Sequence, residues 1–351
     1  MPDPARASDS ELDPTAESSR RTPPPLPVPH LRPLPTWSHL PPANQPSTAY
    51  DVVIADRAGH ATVPFALDPD LFVNRWHRRY RDGGALVLPQ APRFRDPDAL
   101  TFSAFARIQA EQEVHVSRLL DHHQSHDHDG RLSPLWRSAL ARWYTPARFA
   151  RHALVMGAAY AGQIAPTLAL ANCCFYQAAD ESRVVDAIAF RTAELAARWP
   201  GYGFAEDERT SFESDPIWQG FRALLEQALC AWDWGESFVA FNLVAKPALD
   251  EVMLAQLATA GTAHGDQLLM ELSGRHLRDV ERSRRWTAAL VRTLAPLADN
   301  RAVIQRWLDR WTPLATRAIA AYLDGLPGLD RQAPQRALGA CAAFRTALGF
   351  R

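Results

Sequence analysis

After the acidic stretch Asp96-Pro97-Asp98, apolar residues recur with a helical period almost to the end of the chain. Several of the periodic segments are longer than about 20 residues and carry apolar side chains around most of their circumference, which is typical of central, buried helices. We therefore expect an all-α fold, a bundle of long helices punctuated by Pro166 and Pro247. The predicted helices cover about 98–124, 134–142, 146–165, 167–198, 216–245, 248–260, 263–284, 285–297 and 300–323.

The first 48 residues have a different character, because they are crowded with proline, serine and charged residues. Such a segment buries too little apolar surface to offset the entropy lost on ordering. By itself this arm is expected to be disordered or extended. Trp37 and His39 lie near its end, and the tryptophan could anchor the arm on a partner or on the body of this chain.

The remaining chain divides into three further parts. Residues 49–95 form an irregular segment in which 52–54 and 61–65 look like two short β-strands. Tyr50, at its start, is a further interface candidate. The helical domain is expected to cover 96–330, and 331–351 to form a C-terminal tail.

Composition excludes several functional classes. The 38 basic residues are balanced by 39 acidic ones, for a formal net charge of −1, so the chain lacks the positive field that nucleic acids or anionic membranes require. No stretch of about 20 residues is free of charge and proline, so no membrane span is expected. Four cysteines are too few for a disulfide framework, which favours a reduced, cytoplasmic protein. Lys246 is the single lysine, which we attribute to codon bias.

Long helices with inward acidic residues suggest a carboxylate-bridged di-iron site, which takes one Glu from each of two helices and a Glu-x-x-His from each of two others. The candidate carboxylates are Glu111, Glu181 and Glu236. No Asp or Glu in the chain is followed three residues later by His. The positions where the pattern would place the missing ligands hold Val184, Val280 and Ser283, so the sequence predicts a degenerate site without metal.

The candidate carboxylates, histidines and cysteines also have structural interpretations. The three carboxylates are either vestigial ligands or ordinary acids, protonated or paired with an arginine such as Arg183 or Arg282. The histidines of 115–128 match no zinc spacing and are interpreted as surface residues. Adjacent Cys173 and Cys174 point about 100° apart on a helix, which favours packing over chelation.

Four sequence blocks carry a resemblance to a known family: Asn172-Cys173-Cys174-Phe175-Tyr176-Gln177, Trp232-Asp233-Trp234-Gly235-Glu236, Asn242-Leu243-Val244-Ala245-Lys246-Pro247 and Asp279-Val280-Glu281-Arg282-Ser283-Arg284-Arg285-Trp286. Together they strongly resemble the hydroxylase β-subunit of bacterial multicomponent monooxygenases, closest to the toluene and phenol type. The resemblance covers about 90–325. It implies a ferritin-like subunit, related to ribonucleotide-reductase-like bundles, that has lost its metal.

The resemblance also implies partners and cofactors. In that family the α-subunit holds the di-iron centre, and β packs against it in an (αβγ)₂ hydroxylase that includes a γ-subunit. A reductase, sometimes with a Rieske ferredoxin, supplies electrons through NADH, FAD and Fe–S groups, and an effector protein tunes turnover. This chain would then be a non-catalytic subunit for oxidation of an aromatic, alkene or alkane substrate, with no cofactor of its own. Arg284, Arg285 and Trp286 are candidates for the α-subunit interface.

Two alternatives belong to other classes. The chain could be a self-sufficient di-iron oxidase that uses Glu111, Glu181, Glu236 and His115, which would require iron in the isolated protein. It could also be a free-standing ferritin-like scaffold with its own partner, in which case no α-type hydroxylase would be encoded beside it.

Overall fold

The computed structural model describes residues 48–56, 70–87 and 94–351, and within them every regular element is helical. The helices are α1 (Ala49–Asp56), α2 (Phe72–His77), α3 (Phe102–Ser125), α4 (Pro134–Ala139), α5 (Ala147–Gln163), α6 (Leu168–Arg198), α7 (Glu208–Ser214), α8 (Pro216–Leu229), α9 (Trp234–Phe238), α10 (Lys246–Asp250), α11 (Leu257–Ala263), α12 (Gln267–Leu294), α13 (Asn300–Leu323) and α14 (Ala333–Ala347). The predicted all-α bundle of long helices is confirmed. The N-terminal arm, with Trp37 and His39, lies outside the described residues, as does the predicted strand 61–65.

Helices α9, α10 and α11 are parts of one continuous helix, which we call the 234–263 helix. The joining stretches Val239–Ala245 and Glu251–Gln256 are π-helical, and their end residues keep right-handed helical backbone angles. The sequence prediction of a break at Pro247 is therefore wrong. A π-helical turn directly before the proline widens the helix, so the missing N–H and the bulky ring are accommodated without ending it.

Polar caps define where the long helices begin. The side chains of Thr101, Thr167 and Asp266 each accept a backbone N–H from the first turn of α3, α6 and α12. Asp233 does the same for the 234–263 helix, accepting from two backbone N–H groups at 2.8 and 3.2 Å. This cap explains why the predicted helix 216–245 is in fact two helices separated at 230–233.

Other sequence predictions of local structure also differ from the fold. Residues 52–54 are helical, not β: Thr48 and Asp51 form a reciprocal capping box that starts α1, and this local bonding outweighs the β-branched side chains. The predicted pair 263–284 and 285–297 is the single helix α12. Residues 331–351, expected as a tail, contain α14, and α7 was not predicted.

The core is built from α5, α6, the 234–263 helix and α12, with α8 and α13 packed along one side. Its largest fully buried side chains include Trp136, Trp218, Trp234, Trp311 and Tyr322. Helices α8 and α13 approach so closely at Gly220 that a Cβ there would lie 2.6 Å from the Cα of Ala318. Helix α3 lies across α12, and much of its surface is exposed.

None of the helices in the described part of the chain combines the length and hydropathy that crossing a bilayer requires.

Candidate functional site

The four core helices meet at one small cavity of about 10 Å³. Each helix contributes an inward residue at the level where a ferritin-like bundle would bind two metal ions. These residues are Arg151 from α5, Glu181 and Val184 from α6, Lys246 from the 234–263 helix, and Val280 and Ser283 from α12. The structure therefore brings together Glu181 and the three positions that the sequence predicts as lost ligands.

Four charged side chains close this level of the bundle, and we call them the ion cluster: Arg151, Glu181, Lys246 and Asp250. Nη1 of Arg151 donates to Oε2 of Glu181 at 3.0 Å and to Oδ1 of Asp250 at 2.5 Å. Nζ of Lys246 lies 2.5 Å from Oε1 of Glu181 and 3.0 Å from Oδ2 of Asp250. All four side chains are at most 6% exposed. Two cations and two anions thus form a closed, neutral square inside the protein.

The electrostatics of the cluster favour its charged form. Burial alone would raise the pKa of Asp250 and lower the pKa of Lys246, because charge is poorly solvated in the interior. The opposite charges more than offset this burial: the pKa of Asp250 is lowered and that of Lys246 is raised. Each cation contacts both carboxylates, Lys246 through Nζ and Arg151 through Nη1, whereas Nε and Nη2 of Arg151 have no hydrogen-bond partner among the described residues.

A second group of buried charged side chains lies beside the ion cluster, between α3, α6 and α12. Arg282 bonds to both Asp180 and Asp279, and the amide of Gln109 donates to the same two carboxylates at 2.9 and 3.3 Å. One guanidinium therefore serves two carboxylates. Burial, with the nearby charge of Asp279, raises the pKa of Asp180 to about 8. The expected pairing of an acid with Arg282 is found here, on Asp180 and not on Glu181.

The residues at this level do not fit a pair of iron ions. Glu181 and Asp250 already accept from two fixed cations, which would repel a metal ion. Val184 and Val280 have no donor atom, and the hydroxyl of Ser283 donates to the carbonyl of Val280 at 2.8 Å. A cavity of about 10 Å³ holds roughly one water molecule, not two metal ions with their oxygen ligands. In the described residues no group of three or more His, Cys, Asp or Glu side chains is arranged to hold a metal.

Two of the three predicted carboxylates lie away from this level. Glu111 is on the exposed face of α3, at the rim of the groove between α3 and α12. Glu236 is in the first turn of α9, where Oε1 accepts from Arg310 at 2.7 Å and from the Trp311 indole at 3.2 Å. His115 is exposed. The structure therefore does not assemble the four residues that a self-sufficient di-iron oxidase was expected to use.

Two of the histidines interpreted as surface residues are buried. Nε2 of His123 lies 3.1 Å from Oε2 of Glu271, and Nε2 of His128 lies 3.0 Å from Oδ1 of Asp266. Asp266 also accepts from the Trp136 indole at 2.8 Å. These contacts tie the end of α3 and the following turn to α12, which is a packing role that the sequence reading missed.

The interface candidates occupy different environments. Tyr50 is buried, with its hydroxyl accepting from the Asp96 N–H at 3.1 Å, and burial raises its pKa. Trp286 is also buried, with its ring 5.9 Å from that of Phe238. Arg284 is half-buried over the Phe344 ring, and Arg285 is exposed and paired with Asp98 at 3.1 Å. Tyr50 and Trp286 thus pack within this chain, whereas Arg284 and Arg285 stay predicted interface residues.

Sequence reasoning missed Arg151, Lys246 and Asp250. A signal was present for two of them: the chain has a single lysine, it lies in an apolar run, and an acid follows four residues later on the same helical face. Attributing Lys246 to codon bias overlooked this. Arg151 had a weaker signal, as a lone charge in the small apolar face of α5.

Comparison with known proteins shows which proteins this chain resembles. A chain 38% identical over 298 residues is the toluene-4-monooxygenase system hydroxylase component subunit beta of Ectopseudomonas mendocina, aligned over 84% of this chain and 91% of that protein. An oxygenase component of phenol 2-monooxygenase from Pseudomonas sp. strain CF600 is 33% identical over 136 residues, which is 37% of this chain and 41% of that one.

Solved structures show the same fold. A chain of toluene 4-monooxygenase, in a structure with toluene bound in the resting active site, superposes with a TM-score of 0.78 at 39% identity, over 84% of this chain and 98% of that chain. A chain of xenon-pressurised phenol hydroxylase from Pseudomonas sp. OX1 gives a TM-score of 0.77 at 18% identity, over 88% and 92%. The profile of the Methane/Phenol/Alkene Hydroxylase family matches residues 75–296, so this chain belongs to that family.

Proposed function

We propose that this chain is the non-catalytic β-subunit of the hydroxylase component of a multicomponent monooxygenase. The observation that carries the proposal is the ion cluster: two basic side chains stand where a metal-binding member of this fold would need ligands. The near full-length similarity to a hydroxylase subunit beta supports the same role. The oxygen chemistry then belongs to a di-iron α-subunit, and this chain supplies a fixed packing surface.

The assembly that we propose follows the family pattern. Two copies of this chain would join two α- and two γ-subunits, with an effector protein and a reductase as further partners. NADH, FAD and Fe–S groups would belong to the electron-transfer partners, which would include a Rieske ferredoxin in the toluene or alkene branch. The complex would act in the cytoplasm, on an aromatic, alkene or alkane substrate bound by the α-subunit. The neutral ion cluster fits this division of work, because it joins α5, α6 and the 234–263 helix through side chains of this chain alone.

Two measurements test the proposal. Co-expressed with an α-type hydroxylase subunit encoded beside it, the chain is expected to elute in one complex, and elution as a separate folded monomer would count against the role. Metal analysis of the purified chain, after surface-bound ions are removed, is expected to find iron far below stoichiometry. About two irons per isolated chain would show instead that it is a di-iron oxidase in its own right.

A further inference from the structure

A groove of about 590 Å³ lies on the outside of the bundle between α3 and α6, with α12 as its floor, and we call it the α3–α6 groove. All three helices contribute to its apolar lining, which includes Val116, Leu120, Ala187, Phe190 and Leu272. Phe190 is 54% exposed, so a large aromatic ring stands in the groove in contact with solvent. The volume is within the range of about 300–1,000 Å³ that is usual for small-molecule sites.

The charged side chains around the α3–α6 groove compensate one another. Two cations, Arg183 and Arg191, line it together with two carboxylates, Glu113 and Asp186. Arg183 forms an ion pair with Glu113, and Arg191 is paired with two carboxylates outside the groove. An ionic ligand would therefore meet no uncompensated cation, and an anionic one would also meet the exposed carboxylate of Asp186. The lining favours an uncharged ligand.

His276 supplies a polar group at the floor of the groove. It belongs to α12 and lines both the α3–α6 groove and the small cavity beside the ion cluster. Its ring nitrogens remain accessible and form no hydrogen bond with any of the described residues. Burial, with repulsion from Arg151, lowers the pKa of His276 to about 4. The imidazole is therefore neutral at neutral pH, and one of its nitrogens can accept a hydrogen bond.

These features together indicate the chemistry of a ligand. A mostly apolar pocket with a convergent polar group of perturbed pKa is typical of small-molecule sites. An aromatic body suits the lining, because aromatic rings pair favourably with one another and Phe190 offers an exposed ring. One hydroxyl on that body would give the imidazole of His276 the donor that this chain does not provide.

We propose that the α3–α6 groove is a binding site for a phenol, an uncharged aromatic molecule whose hydroxyl donates to the imidazole of His276. The choice of a phenol among uncharged hydroxyl compounds rests on the proposed function, because insertion of oxygen into an aromatic ring yields one. The site is formed by residues of this chain alone, so its binding can be measured on the purified chain without any other subunit.

Fluorine NMR of para-fluorophenol with the purified full chain tests the site. A dissociation constant of about 0.1–1 mM is expected, as for a small molecule that makes one hydrogen bond in an apolar groove. Fluorobenzene, which lacks the hydroxyl, should bind about 3- to 10-fold more weakly, because one hydrogen bond contributes a net effect of that size. The anion para-fluorobenzoate should bind more weakly than para-fluorophenol.

Substitutions assign the binding to the groove. Phe190→Ala removes the exposed ring and should raise the dissociation constant of para-fluorophenol about fivefold. Phe175→Ala is the matched control, because it removes a ring of the same helix that is 47% exposed and lies outside the groove, and it should change nothing.

The role of the imidazole has its own pair of variants. His276→Phe should abolish the preference for para-fluorophenol over fluorobenzene, and His276→Gln, which keeps an acceptor, should restore part of it. His152→Phe replaces an exposed histidine of α5 and should leave the preference unchanged. Because Phe190 is exposed, Phe190→Ala tests the groove even where a change at His276 lowers the stability of the protein.

Three outcomes would overturn the inference. The first is that the wild type does not bind para-fluorophenol, or binds it with an affinity that Phe190→Ala leaves unchanged. The second is that fluorobenzene or para-fluorobenzoate binds as tightly as para-fluorophenol. The third is that binding is lost when the chain joins its partner subunit, which would assign the groove to a protein contact. Failure of the chain to form a complex, with binding of para-fluorophenol intact, would instead refute the proposed function, so the two ideas fail separately.

Discussion

Replacement of Lys246 by methionine isolates the role of the ion cluster. Methionine keeps most of the length and the apolar stem of the lysine but removes its charge. In the wild type, two cations face two carboxylates, and the four side chains are at most 6% exposed. In Lys246→Met, the single guanidinium of Arg151 must serve both Glu181 and Asp250, so one negative charge is buried without a counter-ion.

The expected loss is about 3–5 kcal/mol in the free energy of unfolding, since removing one partner of a buried ion pair strands the other. That loss corresponds to a change of about a hundredfold to a few thousandfold in the folding equilibrium. Urea unfolding of the purified protein at neutral pH and fixed ionic strength measures it. Arg222→Met, which breaks the exposed pair with Glu226, is the control and should change nothing measurable.

A rescue variant distinguishes stranded charge from lost packing. Lys246→Met combined with Asp250→Asn restores neutrality, because Arg151 then faces Glu181 alone. More than half of the lost stability should return. A single variant within about 1 kcal/mol of the wild type, or a double variant that is weaker than the single one, would refute the assignment of Lys246 as a structural cation.

The pH dependence of this variant has a definite sign. In the wild type, the pKa of Asp250 is lowered, so its stabilising contribution is present above the ordinary carboxyl pKa and is lost only as the pH falls through the lower folded value. In Lys246→Met, a carboxyl of the cluster should bind a proton more readily, because burial is less compensated. The deficit in stability should therefore shrink as the pH is lowered from about 8 to about 5.

Three further substitutions test other parts of the structure. The pKa of Asp180 is raised to about 8 in the folded state, so the free energy of unfolding should fall as the pH rises from the ordinary carboxyl pKa toward that value. The expected slope is on the order of 1 kcal/mol per pH unit. Asp180→Asn should flatten this slope, as measured by urea unfolding at several pH values. Gly220→Val should lower the unfolding free energy by roughly 1–3 kcal/mol or more, since its Cβ would lie 2.6 Å from the Cα of Ala318; an unchanged thermal midpoint would refute this close approach. Asp266→Ala removes an acceptor of three hydrogen bonds and should cost about 3 kcal/mol by the same assay, with loss of helicity near the start of α12.

Helical periodicity in the sequence was sufficient to predict the class of fold and most of the long helices. Helix α6 was predicted at 167–198 and lies at Leu168–Arg198, because Thr167 after a proline is a strong start signal. The wrong predictions of secondary structure lie where a helix-capping hydrogen bond overrides the pattern of apolar residues. Asp233 begins a new helix inside an apolar run, and the capping box at Thr48 makes a helix of a β-like stretch.

The candidate site was predicted in part. The three-residue spacing of ligands on one helix face paired Val184 with Glu181 and Ser283 with Val280, and all four residues line the same cavity. It could not identify Arg151 on α5, because a single inward residue leaves no spacing pattern, and a search restricted to metal ligands passed over the four-residue spacing of Lys246 and Asp250. Glu236 was chosen as a carboxylate in a long apolar segment, but Asp233 caps the helix there, and this fixes Glu236 at the first turn, far from the level of Asp250.

The search for Glu-x-x-His motifs in the sequence predicted a bundle without a di-iron site, and the structure shows which side chains occupy that level of the bundle. A ferritin-like core without metal still has polar positions that face one another from four helices, and a lone carboxylate there would be strongly unfavourable. Hydrophobic replacement of every position is one solution, which Val184 and Val280 represent. Basic replacement is the other, which Arg151 and Lys246 represent, and it retains Glu181 and Asp250 as acceptors. The cluster is electrically neutral because two cations face two carboxylates, and these contacts hold α5, α6 and the 234–263 helix in a fixed arrangement.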